Sequence, residues 1–321
     1  MRAREDSGFA LFVPHEPAKG RDLHAHLAFE SLVFPRQAIL AGELLADLPV
    51  GDRVTPIVRA AADFGRRFRE LFLETPDTND GKALASLIRP VTPHLERGLR
   101  AVGIAIDDGK ARERLHVYFI GGTACHVGVS TVGNSSPWPM GIPRLRMPRG
   151  APSRSTLKLA EAFSTLLGGE ELARRLQPGM RAVDLGASPG GWTWQLVHRG
   201  LMVIAVDNGP MDEALLDSGQ VKHRREDGFR FRPPEPVDWM VCDMVESPSR
   251  IAQLAARWVG EGWCRDCLFN LKLPMKKRWE EIERCRGIIA QALSGRPYRL
   301  ALRHLYHDRE EVTAWLADDR H

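Results

Sequence analysis

The 321-residue sequence lacks the features that would place it in several large classes of protein. It has five cysteines, Cys125, Cys242, Cys264, Cys267 and Cys285, too few in a chain this long for a disulfide framework. Cys264 and Cys267 have the spacing of half a zinc site, but no second pair follows. Reduced, mostly buried thiols are expected, and no metal is assigned. No run approaches the roughly 18 apolar residues of a membrane span. The opening Met1-Arg2-Ala3-Arg4-Glu5-Asp6 lacks the apolar stretch of a secretory signal, so the cytoplasm is the expected compartment. Internal repeats and long low-complexity tracts are absent. So are acidic residues between Gly133 and Ala160, where Arg144, Arg146, Arg149, Arg154 and Lys158 accumulate. Such a segment suits contact with phosphates, or is a solvated linker that happens to be basic.

What is present is the composition of a soluble globular protein, 43% hydrophobic and 27% charged, with a net charge of +4. A pI of about 8.9 permits nucleic-acid binding without requiring it. The length exceeds one compact domain and predicts two. Prolines and glycines crowd between Asn134 and Pro152 at a density that excludes helix and central strand. The expected division falls there, giving domains 1–150 and 151–321. Nothing in the sequence reveals an obligate protein partner or an oligomeric state.

The first part reads as α+β. Phe9–Val13 is a short strand candidate, Val54–Phe68 has helical spacing, and Leu71–Leu73 reads as strand. Lys82–Val102 reads as a helix interrupted near Pro90 and Pro93. Arg114–Ile120 and Cys125–Thr131, around Gly121-Gly122, form a hairpin signal. The second part alternates strand and helix. The strands are Arg181–Leu185, Met202–Asp207, Trp239–Asp243 and Cys267–Lys272, with helices from Gly191, over Pro248–Gly260 and over Lys277–Leu293. Tyr298–Tyr306 and Glu311–Leu316 close the chain as strands. This alternation predicts a Rossmann-like α/β domain, a mostly parallel sheet with helices on both faces.

Asp184-Leu-Gly186-Ala-Ser188-Pro189-Gly190-Gly191 links the first strand of that domain to its first helix. Glycines there let a ligand approach the backbone, and Asp207, 21 residues after Gly186, can accept the hydroxyls of an adenosine ribose. A dinucleotide fingerprint requires glycine where Ser188 stands, which disfavours a nucleotide-dependent oxidoreductase. Asp-x-Gly-x-x-x-Gly-Gly is instead the pattern of class I methyltransferases, whose cofactor is S-adenosylmethionine. The backbone of Ser188, Pro189, Gly190 and Gly191 is expected around its methionine end, and Asp207 at its ribose. Asp227, after the expected third strand, can reach the adenine amino group, or is an acidic turn residue.

Lys158, Asp243, Lys272 and Glu311 fall before, or at the ends of, strands of one sheet. With Asp184–Trp192 among them they resemble the Lys-Asp-Lys-Glu tetrad of the FtsJ-like RNA 2′-O-methyltransferases. Ser153–Leu159, Val206–Met211, Trp239–Glu246, Phe269–Lys277 and Leu305–Val312 further resemble the ribosomal RNA large subunit methyltransferase M family. A looser likeness runs through Phe34–Gln37, Asp52–Ile57, Asp77–Asn79 and Asn134–Arg144. The resemblance implies methylation of a cytidine 2′-hydroxyl in the peptidyl-transferase loop of 23S ribosomal RNA. It also implies that the first part holds a ferredoxin-like lobe, entered partway through, and an RNA-binding THUMP domain. Ser155 and Asp243 are placed near the cofactor by resemblance, and Ser188 stands where the family commonly has cysteine or alanine.

A ribose hydroxyl holds its proton tightly, whereas a sulfonium methyl is already activated, so the enzyme must supply alignment and a base. Position and resemblance assign the base to Lys272. Burial and a neighbouring cation lower a lysine pKa, and a close carboxylate raises it. Lys158 is expected to be the cation that depresses Lys272, Asp243 to orient it, and Glu311 to hold Lys158 or the hydroxyl. The rival from another class is a non-catalytic RNA-binding module on the same fold.

Overall fold

A computed structural model describes residues 2–3, 7–308 and 310–320. The chain divides into two units, Met1–Glu30 with Pro35–Pro143, and Ser31–Phe34 with Arg144–His321. The division at residue 150 expected from the sequence puts Ser31–Phe34 in the first domain. It joins the second because Val33 is buried in that unit's core and its carbonyl accepts from His304 N–H at 2.8 Å.

In the first unit Arg2–Ala3 (β1) pairs with Ala10–Leu11 (β2), and Gly20–His26 forms a short helix (α1). A four-stranded sheet follows, built from Leu40–Leu45 (β3), Leu71–Glu74 (β4), Glu113–Gly121 (β5) and Ala124–Thr131 (β6) in the order β3-β6-β5-β4. Val54–Ala62 (α2), Asn79–Ile88 (α3) and Thr92–Ala101 (α4) are its longer helices. Ile57, Val58, Leu95 and Leu99, at helical spacing, pack on Leu115, Val117, Val127 and Val129 of the sheet.

The second unit carries seven strands: Arg181–Leu185 (β7), Met202–Val206 (β8), Val221–Arg224 (β9), Val237–Cys242 (β10), Cys264–Lys272 (β11), Tyr298–Arg303 (β12) and Glu311–Asp318 (β13). Their order is β12-β13-β11-β10-β7-β8-β9. β11, β10, β7, β8 and β9 run parallel, and β13 pairs antiparallel with both β11 and β12. Helices Ser155–Ala162 (α5), Gly168–Arg175 (α6), Gly191–Val197 (α7), Glu213–Asp217 (α8), Pro248–Gly260 (α9) and Arg278–Ala292 (α10) accompany the sheet.

Strand alternation decides which side chains meet. Val183, Leu185, Met240, Cys242, Phe269, Leu271, Val312 and Ala314 face a core shared with Ile251 and Leu254 of α9 and Ile282 and Ile289 of α10. Ala182, Trp239, Val241, Leu268 and Trp315 face the other core, with Leu159 of α5 and Trp192 and Leu196 of α7. By the same alternation Asp184, Asp243, Asn270, Lys272, Glu311 and Thr313 belong to the α5 and α7 side. All five cysteines are free and buried.

Candidate active site

The register of β11 and β13 sets Lys272 opposite Glu311 and Asn270 opposite Thr313. α5, crossing the same face, brings Lys158. Lys272 Nζ donates to Asp243 Oδ1 and to Glu311 Oε2, each at 2.8 Å. Lys158 Nζ donates to Glu311 Oε1 and lies 3.6 Å from Asp243 Oδ2. Each lysine therefore bridges both carboxylates, closing a ring of two cations and two anions. The ring is sheltered but open to one side, from 8% side-chain exposure at Glu311 to 25% at Lys272.

Burial pulls the Lys272 pKa down, yet Asp243 and Glu311 outweigh it and hold the ammonium above the ordinary lysine value. This corrects the expectation that Lys158 depresses Lys272. Lys158 shares the same two carboxylates, and opposite charges in direct contact overcome a like charge that is itself neutralised.

A further layer, absent from the sequence reading, holds the ring. Asn270, 1% exposed, donates from Nδ2 to Asp243 Oδ1 at 2.9 Å and accepts from Thr313 Oγ1 at 2.8 Å. Thr313 Oγ1 also lies 3.1 Å from Asp308 Oδ2, which accepts from Leu305 N–H. Burial pushes the Asp308 carboxyl up to about 7, with Glu311 adding to the effect. Buried Glu161, one turn beyond Lys158 on α5, accepts the N–H groups of Tyr306 and His307 at 2.8 and 3.0 Å, and His307 Nδ1 lies 2.6 Å from it. The segment leading into Glu311 is thus fastened to the helix that carries Lys158. The available signals were spacings: Asn270 two residues before Lys272 on a strand, and Glu161 three after Lys158 on a helix.

The glycine turn lies beside this ring at the same ends of the strands. Gly186 and Gly190 have φ of +80° and +122°, and a Cβ at Gly186 would stand 2.7 Å from Met244 Cγ. A Cβ at Gly191 would stand 2.1 Å from Ser155 Oγ and 2.5 Å from Ser153 Oγ, and Thr156 Oγ1 donates to the Gly191 carbonyl at 3.0 Å. The Ser-Arg-Ser-Thr segment therefore seats α5 on the turn. Asp207 accepts from Ser188 N–H at 3.1 Å and Gly209 N–H at 2.7 Å, one on each oxygen, and each oxygen keeps a lone pair for another donor. Ser188, Pro189, Gly190, Gly191 and Asp207 form one cluster. Asp227 lies in the segment after β9, exposed, where its carboxylate accepts from Phe229 N–H and pairs with Arg230. A Cβ at Gly228 beside it would stand 2.9 Å from Met244 Sδ, so the methionine side chain would have to shift to admit one.

Whether a nucleoside-bearing cation fits can be tested on Asp184. It is fully buried, Thr193 Oγ1 donates to its Oδ2 at 2.7 Å, and its Oδ1 has no partner among the described residues. Burial pushes its pKa up to about 7, and the nearby charges of Asp243 and Asp207 push in the same direction. Beside the turn, Asp207 is a carboxylate held by backbone N–H groups and without a cation among the described residues, which suits a positive ligand bearing ribose hydroxyls. A cavity of about 240 Å³ lies at the opposite, amino ends of β7, β8 and β10, lined by Arg181, Met202, Gln220 and Val237 among others. It contains none of these residues.

A parallel-centred sheet with a glycine turn, an acid after the next strand and a lysine-carboxylate ring defines an FtsJ-like methyltransferase. Residues 151–260 match the family of that description, and residues 52–131 match the N-terminal region of ribosomal RNA large subunit methyltransferase M. Ribosomal RNA large subunit methyltransferase M of Methylococcus capsulatus is 54% identical over 319 residues, 98% of this chain and 89% of that protein. The protein of the same name from Aromatoleum aromaticum is 49% identical over 318 residues, 99% of this chain and 86% of that one. The chain belongs to the ribosomal RNA large subunit methyltransferase M family and is a methyltransferase. Among the described residues no helix is long and apolar enough to cross a membrane.

Proposed function

We propose that the protein moves a methyl group from S-adenosylmethionine to the 2′-hydroxyl of a cytidine in the peptidyl-transferase loop of 23S ribosomal RNA, in the cytoplasm. The observation that carries this reading is the closed ring of Lys272, Asp243, Lys158 and Glu311 beside the glycine turn. The cytidine and its loop come from the family resemblance. Ser155, Ser188, Pro189, Gly190, Gly191 and Asp207 would hold the cofactor, with Asp227 toward its adenine and Asp243 near the methyl group. Bound there, S-adenosylmethionine supplies an activated methyl and a positive charge.

Lys272 is an ammonium in the ring as it stands and must become a neutral amine to accept the hydroxyl proton. Asp243 would hold Lys272 less tightly if it also faced a positive charge, and burial of Lys272 would then favour its neutral form. Glu311 keeps Nζ aimed, while Asn270 and Thr313 keep Asp243 in place. Lys158 remains charged and stabilises the developing alkoxide. Residues 1–150 would bind the RNA, and residues 151–321 would carry the chemistry. Incubating the protein with unmodified 23S ribosomal RNA and methyl-labelled S-adenosylmethionine tests this reading. Label should be recovered as 2′-O-methylcytidine, and label on a base or none at all would refute it.

A further inference from the structure

Asp243 Oδ1 takes two donors at once, Lys272 Nζ at 2.8 Å and Asn270 Nδ2 at 2.9 Å. The amide therefore shares one carboxylate oxygen with the ammonium, and its bond there weakens the hold of Asp243 on the Lys272 proton. What aims the amide lies one step deeper. Asn270 Oδ1 accepts from Thr313 Oγ1 at 2.8 Å, and that hydroxyl also lies 3.1 Å from Asp308 Oδ2 and 3.4 Å from its Oδ1. Asn270, Thr313 and Asp308 are all buried.

A threonine hydroxyl has one proton, and here two acceptors claim it. If Asp308 is ionised, it and Asn270 Oδ1 both require that proton, and one buried oxygen is left facing a lone pair. If Asp308 carries a proton, it donates to Thr313, Thr313 donates to Asn270 Oδ1, and Asn270 Nδ2 is turned toward Asp243. Only the second arrangement satisfies every member, as a buried polar chain requires. The charges acting on Asp308 agree with it. Burial pushes the carboxyl up to about 7 against the Leu305 N–H, Glu311 of β13 adds to the rise, and Lys158 of α5 opposes it. His307, the residue before it, is engaged by Glu161 of α5.

We propose that Asp308 is a positioning residue that sets the proton affinity of Lys272 through a one-way hydrogen-bond chain, Asp308 to Thr313 to Asn270 to Asp243. With Asp308 protonated, the amide shares Asp243, and Lys272 is freer to become the neutral amine. When Asp308 ionises, Thr313 turns to it, the amide loses its aim, and Asp243 tightens on the ammonium. The Asp308 proton is held throughout turnover and is not transferred. This deepens the RNA-methyltransferase reading above, on which it rests for Lys272 as base.

The test uses the full chain with Asp308→Asn, which offers Thr313 a donor and Leu305 N–H an acceptor at every pH. Thr313→Val cuts the chain and Thr313→Ser keeps it, and urea unfolding checks that each variant is folded. Single-turnover transfer to a 23S ribosomal RNA transcript is followed from about pH 6 to about pH 8.5 at saturating S-adenosylmethionine. The rate of Asp308→Asn relative to wild type should climb about tenfold over that range, the worth of one hydrogen bond to a charged group, with KM for RNA unmoved. The climb should vanish on a Thr313→Val background and remain on Thr313→Ser. NMR titration of the Lys272 ε-methylene reads the chain without turnover. Lys272 should hold its proton about tenfold less tightly in Asp308→Asn than in wild type, and Thr313→Val should abolish that difference. A flat rate ratio in folded variants would overturn the chain and spare the enzyme reading. A climb that persists in Thr313→Val would overturn it too, because the Asp308 charge would then act through space. Absence of the NMR difference overturns the chain whether or not wild type methylates ribose, and failure of wild type to do so refutes the enzyme reading separately.

Discussion

Replacing Lys272 by arginine separates the charge of this residue from its proton. The lysine sits between two carboxylate oxygens at 2.8 Å each and is 25% exposed. Lys272→Arg keeps two cations against two anions, so the ring stays balanced, and the added bulk costs roughly 1–3 kcal/mol of stability. Lys272→Ala instead leaves both carboxylates to Lys158. Breaking a fully buried pair costs about 3–5 kcal/mol, and partial exposure should reduce this to roughly 1–3. Arginine does not give up its proton at working pH. If Lys272 is the base, its replacement by arginine should slow methyl transfer by about a hundredfold to ten-thousandfold. That is roughly 3–5 kcal/mol of barrier. The assay is single-turnover transfer to RNA at saturating S-adenosylmethionine, with calorimetry for cofactor binding and urea unfolding for stability. Activity of Lys272→Arg within tenfold of wild type would show that the site needs a positive charge there, and the base assignment would fail.

Asp207→Ala removes the one side chain that can accept ribose hydroxyls while holding Ser188 and Gly209. S-adenosylmethionine affinity should fall by about ten- to a hundredfold with RNA affinity unchanged, and unaltered calorimetry would exclude it from the cofactor site. The folded Asp308 carboxyl keeps its proton to about pH 7 and the unfolded one only to about pH 4, so the stability it contributes is full below pH 4 and is lost as pH rises toward 7. Relative to wild type, the unfolding free energy of Asp308→Asn should therefore rise by roughly 3 kcal/mol between pH 5 and pH 8 in urea titrations. Parallel pH profiles would contradict a raised pKa at this site. Arg144, Arg146 and Arg149 are exposed and without ion pairs among the described residues. Changing all three to glutamine should flatten the salt slope of RNA binding by about two units, against 0.7 to 0.9 per phosphate contact. An unchanged slope would make them solvated surface.

The inner parallel strands β7, β8, β10 and β11 were legible because both faces of the sheet are covered there, so their runs are mostly apolar, whereas β9 at the sheet edge is Val221-Lys-His-Arg224 and offers no such run. β3 was not legible either, since Leu40–Leu45 includes Gly42 and Glu43 and exposes most of its residues at a sheet edge. α5 was missed for another reason. Its eight residues, Ser155–Ala162, sit directly after the proline-rich stretch and offer too few turns for a helical period to emerge. Lys158, Asp243, Lys272 and Glu311 could be named from their motifs, but their closure into a ring depends on register and on α5 lying across it. Asn270, Thr313, Asp308 and Glu161 are common polar residues whose burial is set by the tertiary fold. The direction of the Lys272 pKa shift depends on which charges lie within hydrogen-bonding distance, and no spacing in the chain encodes that. Ser31–Phe34 joins the second unit through His304, more than 250 residues away, beyond the reach of any local pattern.

The central claim is ribose methylation of large-subunit ribosomal RNA. It is tested most directly by mass-spectrometric mapping of 2′-O-methyl groups in ribosomal RNA from cells with and without this protein. One 2′-O-methylcytidine in the peptidyl-transferase loop of 23S ribosomal RNA should vanish without it, and return with wild type but not with Lys272→Arg. Identical methylation maps with and without the protein would contradict the account.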